Sequence, residues 1–171
     1  MAGMAKTTVR AISARALALL MVLEGFRAMP YVDIAGVWTD GYGNTHNVVP
    51  GRPVTKEQAK VTLIKHTEQF GSQVLKCLNR EPTQGQYDAF VLAALNFGAG
   101  APGKKSGFCW QKNGRPSTIV QRFNAGDELG ACLALLQWSY VGKVFVKGLF
   151  NRRWQEYQLC VAGTNTWKVT R

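Results

Sequence analysis

The sequence has few of the residues that bind metals. It contains two histidines among 171 residues, and none of its four cysteines forms a CxxC pair. Structural zinc sites need four such ligands, with cysteines or histidines at characteristic short spacings. The sequence therefore predicts no zinc site and no other metal site.

Long hydrophobic runs are also absent. The longest uncharged apolar run, Ala16 to Leu23, has eight residues, whereas a transmembrane helix needs about 20. Basic residues precede this run, as in a signal peptide, but Glu24 and Gly25 follow it at once. We therefore expect a folded first helix and no stable membrane insertion.

Acidic residues are scarce, with 10 Asp and Glu against 21 Lys and Arg and a net charge of +11. This balance favours anionic partners such as nucleic acid, acidic lipid or the carboxylate-rich cell wall. The basic residues are dispersed, however, and form no block of the kind found in nucleic-acid-binding arms. We expect no nucleic-acid partner.

The most informative segment is EGFRAMPYVDIAGVWTDGYGNT, which runs from Glu24 to Thr45. On one continuous helix, a nine-residue step would place Asp33 about 180° away from Glu24. Pro30 cannot occupy a helix interior, so we predict that the first helix ends near Met29. Asp33 can then fold back towards Glu24 across a cleft.

These residue types suit hydrolysis of a glycosidic bond, which needs one carboxylic acid as proton donor and a second group to activate water or stabilise the cationic centre. Glu24 follows the apolar run LALLMVL, and apolar surroundings favour the protonated form of a carboxyl group. We predict that Glu24 is the acid and that Asp33, in a polar loop, stays ionised. Thr39 is predicted to position the attacking water.

The pattern E-G-x(7)-D-x(5)-T-x-G-Y-G-x-T resembles the active-site signature of phage-type lysozymes, the endolysins of tailed phages such as the T-even and P22-like phages. Further landmarks of that family are TKEQA from Thr55, TQGQYDAF from Thr83, and GLFNRR with Glu156. The resemblance covers about residues 13 to 162. One departure is Asn44, where many relatives carry histidine.

The resemblance implies a mainly helical α+β fold with two lobes, a small β-hairpin lobe and a larger helical lobe, joined by a long helix. It implies hydrolysis of the β-1,4 bond between N-acetylmuramic acid and N-acetylglucosamine in peptidoglycan, by a monomer without a cofactor. Gly43, Thr45 and Asn96 are expected to contact the substrate. The enzyme is expected to be made in the cytoplasm of a bacterial host and to act on peptidoglycan in the periplasm, which lyses the cell.

We expect a single lysozyme domain. Thr55 with Gln58, and Thr83 with Gln86, form capping-box patterns that predict two helix starts. The predicted segments are a flexible N-terminus (1–12), the first helix and small β lobe (13–54), the linker helix (55–78), the helical lobe (79–162) and a tail (163–171).

The four cysteines allow free thiols or two disulfides in any of three pairings. A cytoplasmic protein would keep its thiols reduced, whereas bridges are expected outside the inner membrane. Cys77 ends the predicted linker helix and Cys160 ends the last helix. We therefore favour Cys77 with Cys160, and Cys109 with Cys132.

Two other functions remain open at this point. A lytic transglycosylase would cleave the same bond without water, but it needs one acid only, so Asp33 and Thr39 favour hydrolysis. A non-catalytic cationic protein that perturbs the wall or the membrane would use its charge and would not depend on Glu24.

Overall fold

The computed structural model describes residues 9–162. The predicted tail, and most of the predicted flexible N-terminus, lie outside the described residues. In chain order the elements are α1 (Ala14–Glu24), β1 (Arg27–Val32), β2 (Trp38–Gly41), α2 (Lys56–Cys77), α3 (Gln84–Phe97), α4 (Thr118–Asn124), α5 (Glu128–Ala134), a 3₁₀ helix (Leu135–Ser139), β3 (Tyr140–Val141), β4 (Val144–Phe145) and α6 (Lys147–Ala162).

Both predicted helix starts are confirmed, and their geometry explains them. Thr55 Oγ1 accepts from the backbone N–H of Gln58 at 3.1 Å, and Gln58 Oε1 accepts from the backbone N–H of Thr55 at 2.9 Å. Thr83 and Gln86 make the same reciprocal pair at 3.3 and 2.9 Å. Each capping box satisfies two backbone donors that a helix start leaves without partners.

Helix α3 lies at the centre of the larger lobe. Its residues from Gln86 to Ala94 are all buried, so no face of this stretch meets solvent. Phe90 packs against Phe108 and Phe123, with ring centroids 5.2 and 5.4 Å apart. The irregular segment around Phe108 is therefore anchored in the core.

Helix α1 packs on this larger lobe. Ser13, which caps α1, donates from its backbone N–H to Asp88 Oδ1 on α3 at 2.9 Å. The helix ends at Glu24, five residues before the predicted end, because Gly25 leaves the helical conformation with φ of +67°. Pro30 lies inside β1, so it was the wrong signal for the helix end.

The small lobe is built on the antiparallel hairpin of β1 and β2, in which Tyr31 faces Thr39. A register shift between Arg27 and Tyr31 marks an irregularity of the kind that bends a strand. Gly41 rests on α2, since a Cβ at this position would lie 2.8 Å from Ala59 Cβ. A second, very short hairpin joins β3 to β4 before α6.

The structure corrects the predicted disulfides. It pairs Cys77 with Cys109 and Cys132 with Cys160, with Cα–Cα distances of 5.8 and 5.7 Å. The loop after α3 returns to the end of α2, and α5 packs beside α6. The ends of α2 and α6 are therefore each bridged to a different partner, not to each other.

The predicted two-lobed α+β architecture, with a hairpin lobe and a helical lobe joined by the long helix α2, is confirmed. Among residues 9–162, no helix combines the length and the apolar character needed to cross a bilayer.

Candidate active site

Glu24 is the last residue of α1 and lies where three parts of the fold meet. Arg152 on α6 donates from Nη2 to Glu24 Oε1 at 2.8 Å. On the hairpin side, a Cβ built at Gly43 would lie 3.6 Å from Glu24 Oε2. The Glu24 side chain keeps 20 % of its surface exposed, so the carboxyl group remains accessible from solvent.

The contact with Arg152 corrects the predicted environment of Glu24. Apolar residues of α1 precede the carboxyl group, but its nearest charged neighbour is a guanidinium that is itself only 10 % exposed. The Arg152 guanidinium group binds Oε1 of Glu24, and Oε2 lies on the side of the hairpin.

Asp33 and Thr39 are joined through the peptide groups of one residue in the hairpin turn. Asp33 Oδ1 accepts from the backbone N–H groups of Ala35 and Val37, both at 2.9 Å. Thr39 Oγ1 donates to the carbonyl oxygen of Val37 at 3.1 Å. The backbone of Val37 therefore fixes both side chains relative to each other, and the Thr39 hydroxyl keeps its acceptor capacity.

Behind Arg152 lies a buried charge network. Glu156 Oε1 accepts from Arg152 Nε at 3.3 Å and from Arg153 Nη2 at 3.0 Å, while Arg153 Nη2 also donates to Asn96 Oδ1 at 2.8 Å. Arg153 and Glu156 are fully buried. Burial raises the pKa of Glu156 to about 7, although Arg153 and Arg152 act to lower it. Burial also lowers the pKa of Arg153 to about 10.

Sequence reasoning did not find this network as part of the site. The signal available was the spacing of Arg152, Arg153 and Glu156, which places all three on one face of α6. That spacing is equally compatible with a solvated helix face. Only the packing of α6 against α3 and the position of α1 show that it leads to Glu24.

The three predicted substrate contacts have different surroundings. Gly43 is exposed beside Glu24, with φ of +80°, a conformation that favours glycine. Thr45 is exposed in the loop that follows β2. Asn96 is exposed near the end of α3, and its carbonyl oxygen is used by Arg153, so its amide N–H₂ is the group that can face a ligand.

The residues next to the hairpin form a separate polar recess. Asn44 donates from its side-chain amide to Asp40 Oδ1 at 2.8 Å, which ties the Asp40 carboxyl group to the turn. Asp40 and Asn44 border a cavity of about 580 Å³ that extends along α2 to His66. Burial lowers the pKa of His66, with a smaller effect from His46. Glu24, Asp33 and Thr39 do not line this cavity.

The fold and the site together define a class of protein. A carboxyl group at the end of a helix faces a hairpin that carries a second carboxylate and a threonine, in a two-lobed α+β fold. Glycoside hydrolases commonly use a pair of carboxyl groups, and this two-lobed α+β fold is lysozyme-like.

Comparison with known proteins leads to the family. The phage lysozyme family model matches residues 21–156. The SAR-endolysin of Enterobacteria phage PA-2 is 36% identical over 145 residues, which cover 82% of this chain and 79% of the relative. The chain therefore belongs to the phage lysozyme family and is a peptidoglycan-hydrolysing glycosidase.

Solved structures agree with this assignment. The active form of the P1 phage endolysin Lyz is 28% identical, with a TM-score of 0.76 over 90% of this chain and 87% of that one. The endolysin from Escherichia coli O157:H7 phage FAHEc1 is 29% identical, with a TM-score of 0.74 over 91% and 96% of the two chains.

Proposed function

We propose that this chain is a phage endolysin that hydrolyses the β-1,4 bond between N-acetylmuramic acid and N-acetylglucosamine, with Glu24 as the proton donor. The observation that carries the proposal is the position of Glu24, which is accessible and lies between α6 and the hairpin. Glu24 protonates the leaving oxygen of the scissile bond, which is the step that a carboxylic acid in a cleft performs.

Asp33 and Thr39 act on the other side of the scissile bond. Both backbone donors to Asp33 bind Oδ1 and hold the carboxyl group in the turn. Asp33 stabilises the cationic centre or activates water, and the Thr39 hydroxyl accepts a hydrogen bond from that water. The Val37 backbone holds Asp33 and Thr39 in a fixed relative position, which supports a role for these two residues in positioning the nucleophile.

The substrate contacts follow from the same geometry. Gly43 leaves space beside Glu24 Oε2, so a sugar ring can approach the acid closely. Thr45 and the amide of Asn96 supply polar contacts on the two sides of the cleft. The enzyme acts as a monomer on glycan strands in the periplasm, after synthesis in the cytoplasm of the host, and its net charge of +11 favours the anionic wall.

The test compares clearing of purified peptidoglycan by the wild type, by Glu24→Gln and by Asp33→Asn, followed by mass spectrometry of the released fragments. We expect the rate to fall by about 10²-fold or more in each variant, and reducing N-acetylmuramic ends from the wild type. Glu57→Gln changes an exposed glutamate in the first turn of α2 and is the matched control, with wild-type clearing.

Other outcomes would assign the chain differently. 1,6-Anhydro ends would show a lytic transglycosylase, because they form when no water attacks. Clearing that survives Glu24→Gln would remove Glu24 from the mechanism and would favour a cationic, non-catalytic action.

A further inference from the structure

Glu156 is a buried carboxyl group that the mechanism above does not use. Its side chain is 0 % exposed, and only Oε1 is hydrogen-bonded, to Arg152 Nε and Arg153 Nη2. Within residues 9–162, Oε2 has no hydrogen-bond partner. Burying a carboxyl group is unfavourable unless it is paired. A buried carboxyl group with one unpaired oxygen is therefore not explained by a contribution to stability alone.

Arg152 joins this carboxyl group to Glu24. Its Nε binds Glu156 at 3.3 Å and its Nη2 binds Glu24 at 2.8 Å. A guanidinium group is planar and presents its N–H groups in a fixed fork. The bond from Nε to Glu156 therefore determines the direction in which Nη2 points.

We propose that Glu156 is a positioning residue for the catalytic acid, and that it acts on Glu24 through Arg152. This inference rests on the proposed role of Glu24 as proton donor. Glu156 orients Arg152, and Arg152 in turn holds the carboxyl group of Glu24.

The groups around Glu156 show which member of the network reaches the site. The charged groups that act on Glu156 are Arg153 and Arg152 on its own helix and Glu24 on α1. From α3 the network receives the neutral amide of Asn96, which binds Arg153. Arg152 is the member whose hydrogen bond reaches Glu24.

The orientation of Arg152 depends on the charge of Glu156. Burial raises the pKa of Glu156 to about 7, so the group gains its charge near neutral pH. A carboxylate accepts a stronger hydrogen bond from a guanidinium group than a neutral carboxyl group does. Glu156 therefore holds Arg152 more firmly when it is ionised.

The test is the pH profile of peptidoglycan hydrolysis by Glu156→Gln, with kcat and KM separated. Glutamine keeps the acceptor for Arg152 Nε but cannot carry charge. We expect kcat to fall by about 3- to 10-fold above pH 7, with KM unchanged, because the neutral amide holds Arg152 less firmly than a carboxylate does. Well below pH 7 the two profiles should converge, because Glu156 is then neutral in the wild type as well.

A second readout does not use activity. The side-chain ¹⁵Nε resonance of Arg152 can be assigned by substitution and followed during a pH titration. In the wild type it should change near pH 7, where Glu156 gains its charge, and this change should be absent in Glu156→Gln. Glu128→Gln is the matched control, since Glu128 pairs with Arg80 in the same lobe, and it should leave both the profile and the Arg152 titration unchanged.

The outcomes separate this inference from the proposed function. If Glu24→Gln stays active, the proposed function fails. If Glu24→Gln is inactive but Glu156→Gln matches the wild type in profile and titration, the role of Glu156 alone is overturned. Should Glu156→Gln not fold, Glu156→Asp keeps the charge but shortens the reach to Arg152. We then expect a lower kcat with KM unchanged, and a wild-type kcat would overturn the proposal.

Discussion

The two halves of the candidate site are held in place by different means. On the hairpin, Asp33 is fixed by backbone N–H groups two and four residues further along the chain. At the end of α1, Glu24 is fixed by Arg152, which lies 128 residues away in the sequence. The first half depends on local chain geometry and the second on the packing of the larger lobe.

This difference shows how the two carboxyl groups acquire different surroundings. Asp33 lies in a turn that is largely exposed and accepts neutral donors. Glu24 belongs to a chain of charges that runs through Arg152 to the fully buried Glu156 and Arg153. Two carboxyl groups with different surroundings can take different roles in acid–base catalysis.

The largest expected effect is on the helix half, with Arg152→Met. The substitution removes a partner from Glu24 and from the buried Glu156. Glu156 keeps Arg153 as a partner, but two hydrogen bonds between charged groups are lost. At about 1.5–3 kcal/mol for each bond, we expect a loss of about 3–5 kcal/mol in the free energy of unfolding. Urea unfolding at neutral pH measures this loss.

Arg122→Met is the matched control for that experiment. Arg122 pairs with Asp127 on the surface, where both side chains are about half exposed, at 48% and 50%. Such pairs contribute about 0–1 kcal/mol. An equal loss in the free energy of unfolding for the two variants would show that Arg152 contributes no more to stability than a surface arginine does.

The next effect is the dependence of stability on pH. The pKa of Glu156 is raised from 4.5 to about 7 in the folded state, so the folded state binds more protons than the unfolded state between these values. The contribution of Glu156 to stability therefore falls as pH rises through this window, by about 3 kcal/mol in total, and is constant above it.

Urea unfolding of the wild type and Glu156→Gln at pH 4.5, 6 and 8 checks this prediction. The wild type should lose stability relative to the variant across the series, because glutamine does not titrate. A difference between the two proteins that stays constant with pH would show that burial does not perturb the titration of Glu156.

The smallest effect concerns the junction between the two halves. Gly25 has φ of +67°, and a Cβ there would meet no atom within 4 Å. With ψ of 156°, Gly25 lies in a backbone region that almost only glycine adopts, so Gly25→Ala should cost the backbone penalty of about 1–3 kcal/mol. Gly148→Ala is the control, because Gly148 also has open space, lies within α6 and lacks positive φ; it should be neutral or stabilising by up to about 1 kcal/mol. Thermal unfolding of both variants gives the comparison.

Local features of the fold were predictable from the sequence. The capping boxes at Thr55 and Thr83 act over three residues, and both are present in the structure. The end of α1 was misplaced although its signal is also local, because Pro30 was given more weight than Gly25. A glycine can end a helix by adopting positive φ even where the following residues could continue it.

Long-range features were not predictable in the same way. The disulfide partners depend on which loop returns to α2 and which helix packs on α6, and cysteine spacing does not contain that information. The contact of Arg152 with Glu24 likewise joins residues that are far apart in the sequence and depends on how the helices pack. The roles of Asp33 and Thr39 in catalysis stay predictions, for which the Val37 hydrogen bonds supply a geometric basis.

The two disulfides also determine how the enzyme responds to a protease. They close separate segments of chain, from Cys77 to Cys109 and from Cys132 to Cys160. A single cut inside either segment leaves the two fragments covalently joined until a reductant is added. A cut in the exposed stretch around Gly51 separates the fragment that carries Glu24, Asp33 and Thr39 from the fragment that carries Arg152, and no bridge retains it.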